Sequence, residues 1–135
     1  MKHMAAVAAP SLLAQSLVVL GLLALSACSK QIEAPADRGV CWHMVQLKDG
    51  KTRFNKVAEN TASVEQCAAA LEGMRLRFLG LGGQTEEITG AYQGQFLFLG
   101  REGVFFSQSL NGNRYLLLVP TGDGRLAKPG AMPQQ

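Results

Sequence analysis

The spacing of apolar residues changes three times along this chain of 135 residues, and each change predicts a different kind of segment. Residues 5 to 25 are mostly apolar. Residues 40 to 57 alternate in the manner of β-strands, whereas residues 63 to 77 carry apolar residues at helical spacing. Strand-like runs return between short turns from residue 91 to residue 119. The pattern therefore predicts an apolar leader followed by a mainly β domain with one helix.

The first β segment has the pattern of a hairpin. Val40 to Lys48 is rich in β-forming residues, and alternation places His43 on the same face as Cys41. Asp49-Gly50 is a two-residue turn signal, because a type I′ turn needs positive φ at both central positions. Lys51 to Val57 can therefore return as a second, more polar strand.

One amphipathic helix is predicted after this hairpin, from about residue 63 to residue 77. Ser63 and Gln66 have the spacing of a capping box. The apolar residues of the helix form one stripe, which consists of Val64, Cys67, Ala68, Leu71 and Met74. The glycines at positions 80, 82 and 83 follow a helix and precede no Gly-Lys-Ser/Thr sequence, so they predict a connector and not a phosphate-binding loop.

Three further strands are predicted from residue 91 onward. Alternation in the first of them would place Tyr92, Gly94, Phe96 and Phe98 on one face. A turn at residues 100 to 103 and a strong Asn111-Gly112 hairpin signal then separate two more strands. The predicted fold is thus an α+β domain of order ββαβββ, with one helix packed on a bent antiparallel sheet of five strands that could also split or partly close.

The opposite face of this meander is more apolar than an exposed sheet face should be. It carries Leu97, Leu99, Phe105, Leu116 and Leu118, with Tyr92 nearby. Either the first hairpin or a barrel-like closure buries this face within the monomer, or these six residues form a surface for an envelope protein or a second copy of the chain.

The leader ends in Leu25-Ser26-Ala27-Cys28, which follows a basic residue, Lys2, and a continuous apolar run from Leu17. This stretch resembles the lipobox of bacterial lipoprotein precursors. The resemblance implies that residues 1 to 27 are a signal peptide cleaved between Ala27 and Cys28, and that Cys28 carries the acyl chains that hold the protein in the membrane lipid. Ser29 follows Cys28 in place of aspartate, which by the same resemblance implies the outer membrane, facing the periplasm.

Simple secretion and a retained transmembrane anchor are the alternatives to lipidation. A membrane-spanning helix needs roughly 20 consecutive apolar residues, and Pro10, Ser11, Gln15 and Ser16 interrupt that length here. No basic stop-transfer cluster follows Cys28 either. The lipoprotein interpretation is therefore favoured over both.

The mature chain has room for one small domain. Residues 28 to 39 are predicted to be a polar tether, residues 40 to 119 the globular domain, and residues 120 to 135, which are rich in proline and glycine, a disordered tail. Lysine and arginine are scattered along the chain, and their excess over acidic residues is only three in the whole sequence. This distribution argues against nucleic-acid binding.

Assignment of Cys28 to lipid leaves Cys41 and Cys67, an even number in an exported domain. Both are predicted on core faces, one in the first strand and the other in the helix, so we expect them to form a disulfide. No Cys-x-x-Cys motif indicates a redox-active pair.

No catalytic or cofactor motif is evident. His43 has no cluster of further ligands that would predict a metal site, and Glu86 and Glu87 would point to opposite faces of a strand. The leading hypothesis is a lipid-anchored periplasmic domain with a binding or structural role in the cell envelope, not an enzyme and without a cofactor. An inhibitor of a periplasmic or lytic enzyme that acts through the 100–103 and 111–112 turns is an alternative. A small hydrolase would need a serine and a carboxylate beside His43.

Overall fold

A computed structural model describes residues 30 to 84 and 87 to 131. Within this part of the chain there are seven strands and one helix. Their bounds are β1 Cys41–Gln46, β2 Thr52–Ala58, α1 Val64–Gly80, β3 Ile88–Tyr92, β4 Gln95–Gly100, β5 Gly103–Ser107, β6 Tyr115–Pro120 and β7 Leu126–Ala127. The expected α+β class with a single helix and a bent antiparallel sheet is confirmed.

The strands form an antiparallel sheet of order β2-β1-β3-β4-β5-β6-β7. Only one connection departs from a simple meander: α1 carries the chain from β2, at the edge of the sheet, to β3 on the other side of β1. The helix packs on the face of the sheet that it crosses. The buried cluster between them includes Cys41, Cys67, Ala68, Leu71, Ile88, Tyr92, Leu97, Leu99, Val104 and Leu118.

The strand count of five is wrong, because the third predicted strand is a hairpin of two strands and β7 was not expected. Gln93 and Gly94 form the tight turn between β3 and β4, with φ values of 46° and 83°. Glutamine rarely adopts positive φ, so this turn lacks the usual Asn-Gly signature. The turn pairs Tyr92 with Gln95, which places Tyr92 on the helix face and Phe96 on the opposite face. Tyr92 and Phe96 therefore do not share a face as predicted.

The first hairpin lies where it was predicted, but its turn differs. The last strand pair is Gln46 with Thr52, and Leu47 N donates a hydrogen bond to Lys51 O at 2.8 Å. Gly50 N then donates to Leu47 O at 3.0 Å, with Gly50 at a φ of 81°. One left-handed residue is sufficient in this wider loop, whereas the expected type I′ turn needs two.

The helix begins as the capping signal predicts. Ser63 accepts a hydrogen bond from Gln66 N at 3.2 Å, and the Gln66 side chain in turn accepts one from Ala62 N at 3.1 Å. The predicted end near residue 77 is too early, because the helix continues to Gly80 and Leu81 N still donates to Arg77 O. The additional turn is important for the site described below.

The predicted disulfide is present. Cys41 in β1 and Cys67 in α1 are bonded, with 5.3 Å between their Cα atoms. Both residues are fully buried. The bond therefore ties the first strand to the helix across the core.

The sheet is curled, and both faces of its centre are buried. Phe54 in β2 and Phe96 in β4 have ring centroids 6.5 Å apart, although two other strands lie between them. Three strand spacings would be about 14 Å in a flat sheet, so the sheet must bend toward this face. The Arg114 guanidinium lies 3.6 Å from the Phe98 ring centroid on the same face. The first hairpin thus closes over part of the face that the helix does not cover.

The segments on either side of the predicted domain also differ from expectation. Gly94 N donates a hydrogen bond to Pro35 O and Thr61 N donates one to Gly39 O, each at 2.9 Å, so the second half of the predicted tether is bound to the fold. In the segment predicted to be a disordered tail, β7 pairs with the end of β6. Leu126 packs against the core, which provides the apolar burial that composition alone did not indicate.

Candidate functional site

The apolar stripe of α1 extends beyond the part of the helix that packs on the sheet. Leu71, Met74, Phe78 and Leu81 recur at helical spacing, so they lie along one side of the helix and its cap. Leu71 is fully buried and Met74 is half-buried, but Phe78 is 49% exposed and Leu81 is 89% exposed. The stripe therefore leaves the core and continues into solvent at the C-terminal end of the helix.

A glycine-rich turn holds this end in place. Gly83 N donates to Phe78 O at 3.0 Å, after Leu81 N and Gly82 N have bonded to carbonyls of the last helical turn. A Cβ atom at Gly83 would lie 2.2 Å from the Phe78 ring. A side chain at position 83 would displace the Phe78 ring from this position, so the connector predicted from its glycines has a packing role.

A cavity lies where the helix departs from the sheet. Its volume is about 150 Å³, and it is lined by His43, Met74, Arg75, Phe78 and Ile88. β1 supplies His43, β3 supplies Ile88 at its first residue, and α1 supplies the other three. We call this cavity, together with the exposed Leu81 beside it, the apolar cleft.

The Arg75 guanidinium in the cavity wall forms an ion pair with a carboxylate of the same helix. Arg75 Nε donates to Glu72 Oε2 and Arg75 Nη2 donates to Glu72 Oε1, both at 2.8 Å, and the two side chains are only 7% and 6% exposed. The bidentate hydrogen bond to Glu72 raises the pKa of Arg75 above its ordinary value, against the effect of burial. Because Glu72 holds the guanidinium in place, the arginine presents a fixed surface to the cavity.

His43 is the only titratable imidazole in the cleft lining. Burial disfavours the charged imidazolium and lowers the pKa of His43 below its ordinary value of 6.5. The described residues that line the cavity include neither a serine nor a carboxylate, which a hydrolase with His43 as base would need. The described residues also contain no cluster of three His, Cys, Asp or Glu side chains that could hold a metal ion.

Two exposed arginines flank the apolar cleft. Arg77 lies in the last turn of α1, on the other side of the stripe from Arg75. Arg53 pairs with Val45, two residues beyond His43, so it lies on the helix face of the edge strand β2. Neither arginine forms an ion pair among the residues that the structure describes.

Other depressions in the surface lie at the turns. The depression beside the β4–β5 turn has a volume of about 280 Å³ and is lined mainly by charged and glycine residues, including Glu87, Arg101 and Glu102. A further one, of about 310 Å³, is lined largely by the loop between β5 and β6. Polar atoms form a larger share of the walls of both depressions than of the cleft, so they are weaker candidates for an apolar binding site.

The six residues predicted as a possible partner surface do not form one surface. Leu97 and Leu99 are fully buried and Leu118 is 3% exposed, all on the face that α1 covers. Tyr92 is also buried, and its hydroxyl donates a hydrogen bond to Thr61 O at 2.7 Å. Phe105 and Leu116 pair on the opposite face, where Leu116 is 44% exposed.

The predicted lipidation and cleavage residues, Cys28 and Ala27, lie outside the described residues. Within the described part of the chain, no helix is long and apolar enough to cross a membrane.

Sequence reasoning missed Phe78 and Leu81. The helical spacing that identifies Leu71 and Met74 continues to both residues, but the predicted stripe ends at Met74. The same spacing, continued through Gly80, would have placed both residues on the stripe, although it would not have shown that they are exposed.

Comparison of the chain with protein-family models, with curated proteins and with solved structures finds no match.

Proposed function

We propose that this chain is a lipid-anchored periplasmic protein whose domain binds another component of the cell envelope through the apolar cleft. The observation that carries the proposal is the exposure of Phe78 and Leu81 beside a cavity with apolar walls. Contiguous apolar patches on a protein surface mark sites that a partner covers, and the two side chains extend the apolar wall of the cavity into such a patch.

The lipobox resemblance of residues 25 to 28 supports the location. Cleavage after Ala27 and acylation of Cys28 would attach the domain to the outer membrane, facing the periplasm. Two or more acyl chains hold a protein stably on a membrane, so the domain itself needs no spanning segment.

The positions of the tether and the cleft support a binding role away from the anchor. The tether is bound to the fold at two points: Pro35 O accepts a hydrogen bond from Gly94 N in the β3–β4 turn, and Gly39 O accepts one from Thr61 N just before α1 begins. The cleft lies at the other end of this helix, whose 17 residues span about 25 Å. The end of the domain that the tether enters is therefore not the end that carries the cleft.

Site-specific photocrosslinking in living cells tests this proposal. A benzophenone amino acid would replace Leu81 in one variant and Asn111 in a control variant. Asn111 is exposed in the β5–β6 loop, and Gln108 and Ser109 of this loop line a depression together with Ala34 of the tether segment. We expect a discrete crosslinked product at position 81, none at position 111, and loss of the product when Cys28→Ala removes the anchor.

The absence of a crosslink at position 81, or equal crosslinking at both positions, would contradict a binding role of the cleft. A product at position 81 that persists with Cys28→Ala would leave the binding role intact and remove the anchor from the mechanism.

A further inference from the structure

We propose that the apolar cleft recognises an acidic segment of a protein partner, which inserts one apolar side chain into the cavity and places carboxylates on the flanking arginines. This inference rests on the proposed binding function and specifies the chemistry of the partner.

The volume of the cavity limits what can enter it. A cavity of about 150 Å³ with apolar walls is large enough for a benzene-sized group. Pockets that enclose a drug-sized ligand or a cofactor usually have volumes of roughly 300 to 1,000 Å³. The cavity therefore fits a single phenylalanine or leucine side chain, and the exposed Leu81 and Phe78 beside it can contact the neighbouring residues of the same segment.

The charges around the cleft favour an acidic segment. Two described carboxylates beside its lining residues are already paired: Glu72 with Arg75, and Glu87, which precedes Ile88, with Arg114 at 3.1 Å. Arg53 and Arg77 have no such counter-ions among the described residues. The described part of the rim is therefore positive, and carboxylates on a partner would complement it.

A second copy of this chain fits the cleft less well. In a two-fold symmetric dimer the same patch faces itself, so Arg53 and Arg77 would meet the arginines of the other copy. Like charges placed opposite each other across an interface oppose association.

A lipid surface is also less favourable as the occupant. The tether is bound near the start of α1, whereas the cleft lies at the C-terminal part of this helix. Insertion of Leu81 into the membrane that holds the anchor would require the domain to turn over on its tether.

Peptide binding to the intact mature protein, held by its acyl anchor in phosphatidylcholine nanodiscs, tests the inference. The first probe is a short fluorescein-labelled peptide with one phenylalanine, flanked on each side by glycine and then by glutamates. The second probe replaces the phenylalanine with glycine, and the third replaces the glutamates with lysines. We expect fluorescence anisotropy to show the first probe binding at least about tenfold more tightly than either of the others, with a marked loss of affinity at high salt.

Variants test whether the binding takes place at the cleft. Leu81→Asp and Arg77→Glu should each weaken binding of the acidic phenylalanine peptide by about tenfold or more. Leu116→Asp and Arg38→Glu are matched controls at exposed positions outside the cleft, and they should leave the affinity unchanged. Circular dichroism of every variant checks that the fold is retained.

The inference is overturned if the lysine peptide binds as tightly as the glutamate peptide, or if Leu81→Asp has no effect. It is also overturned if phosphatidylglycerol vesicles bind the cleft and Leu81→Asp abolishes that binding, because the occupant would then be a lipid surface. A crosslink at position 81 in cells without any preference for acidic peptides would retain the proposed function and reject only this partner class.

Discussion

At the scale of single residues, the environment of His43 couples protonation to folding. Burial lowers the pKa of His43 below 6.5, so the folded protein binds a proton less readily than the unfolded chain does. The neutral imidazole also shares the cavity with the Arg75 guanidinium, which Glu72 holds in place. The contribution of the neutral His43 to stability is therefore complete above the pKa that this residue has in the unfolded chain. It is lost as the pH falls through the pKa of His43 in the folded protein.

We expect the free energy of unfolding to decrease as the pH falls below about 6.5 and the decrease to be smaller in His43→Gln, which cannot take up the proton. Urea denaturation of both proteins at several pH values between neutrality and the range in which carboxylates titrate measures this difference. Parallel pH profiles of the two proteins would show that His43 does not contribute.

Two glycines give opposite predictions for the same substitution. A Cβ atom at Gly90 would lie 2.3 Å from Leu71 Cδ1 and 2.8 Å from the backbone oxygen of Trp42, so Gly90→Ala should destabilise the domain by about 1 to 3 kcal/mol. Gly73 lies inside α1 with nothing within 4 Å of its Cβ position, so Gly73→Ala should stabilise by about 0.5 to 1 kcal/mol. Chemical denaturation measures both, and destabilisation by Gly73→Ala would contradict the packing described here.

At the scale of secondary-structure elements, the disulfide connects the first strand to the helix that crosses the sheet. The bond joins residues 26 positions apart and closes a loop that contains all of β2. We expect replacement of both Cys41 and Cys67 by alanine to lower the free energy of unfolding by about 3.5 kcal/mol, because the unfolded chain gains the freedom that the bond removes. A change of less than about 1 kcal/mol would mean that packing of α1 on the sheet alone holds these elements together.

The elements also differ in how clearly the sequence indicates them. Ser63, Gln66 and the apolar stripe predict α1 because capping and helical periodicity are local properties of the chain. The turn at Gln93-Gly94 was not predicted because positive φ at a glutamine has no strong local signature. The unfavourable backbone conformation of Gln93 is offset by the pairing of β3 with β4 and by the burial of both strands. That burial depends on residues distant in the sequence.

At the scale of the whole molecule, the proposed anchor determines where the cleft is presented. We expect the protein to sediment with the outer membrane and to partition into detergent. Cys28→Ala should leave it unacylated and move any exported product to the soluble periplasmic fraction. Density-gradient fractionation with metabolic labelling by a palmitate analogue checks both. Labelling that persists in Cys28→Ala would exclude Cys28 as the acylation site.

The first hairpin and the start of the helix could be predicted from the sequence because turn and capping signals depend on neighbours along the chain. The α+β class and the Cys41–Cys67 disulfide could be predicted from the order of the segments and from the even number of cysteines that remain after Cys28. Tertiary structure alone decided which apolar residues are covered. Leu97 and Phe78 are comparable apolar residues in the sequence, but Leu97 lies under the helix whereas Phe78 lies where the helix has passed the end of the sheet. Exposure depends on where two distant elements end relative to each other, and no local pattern contains that information.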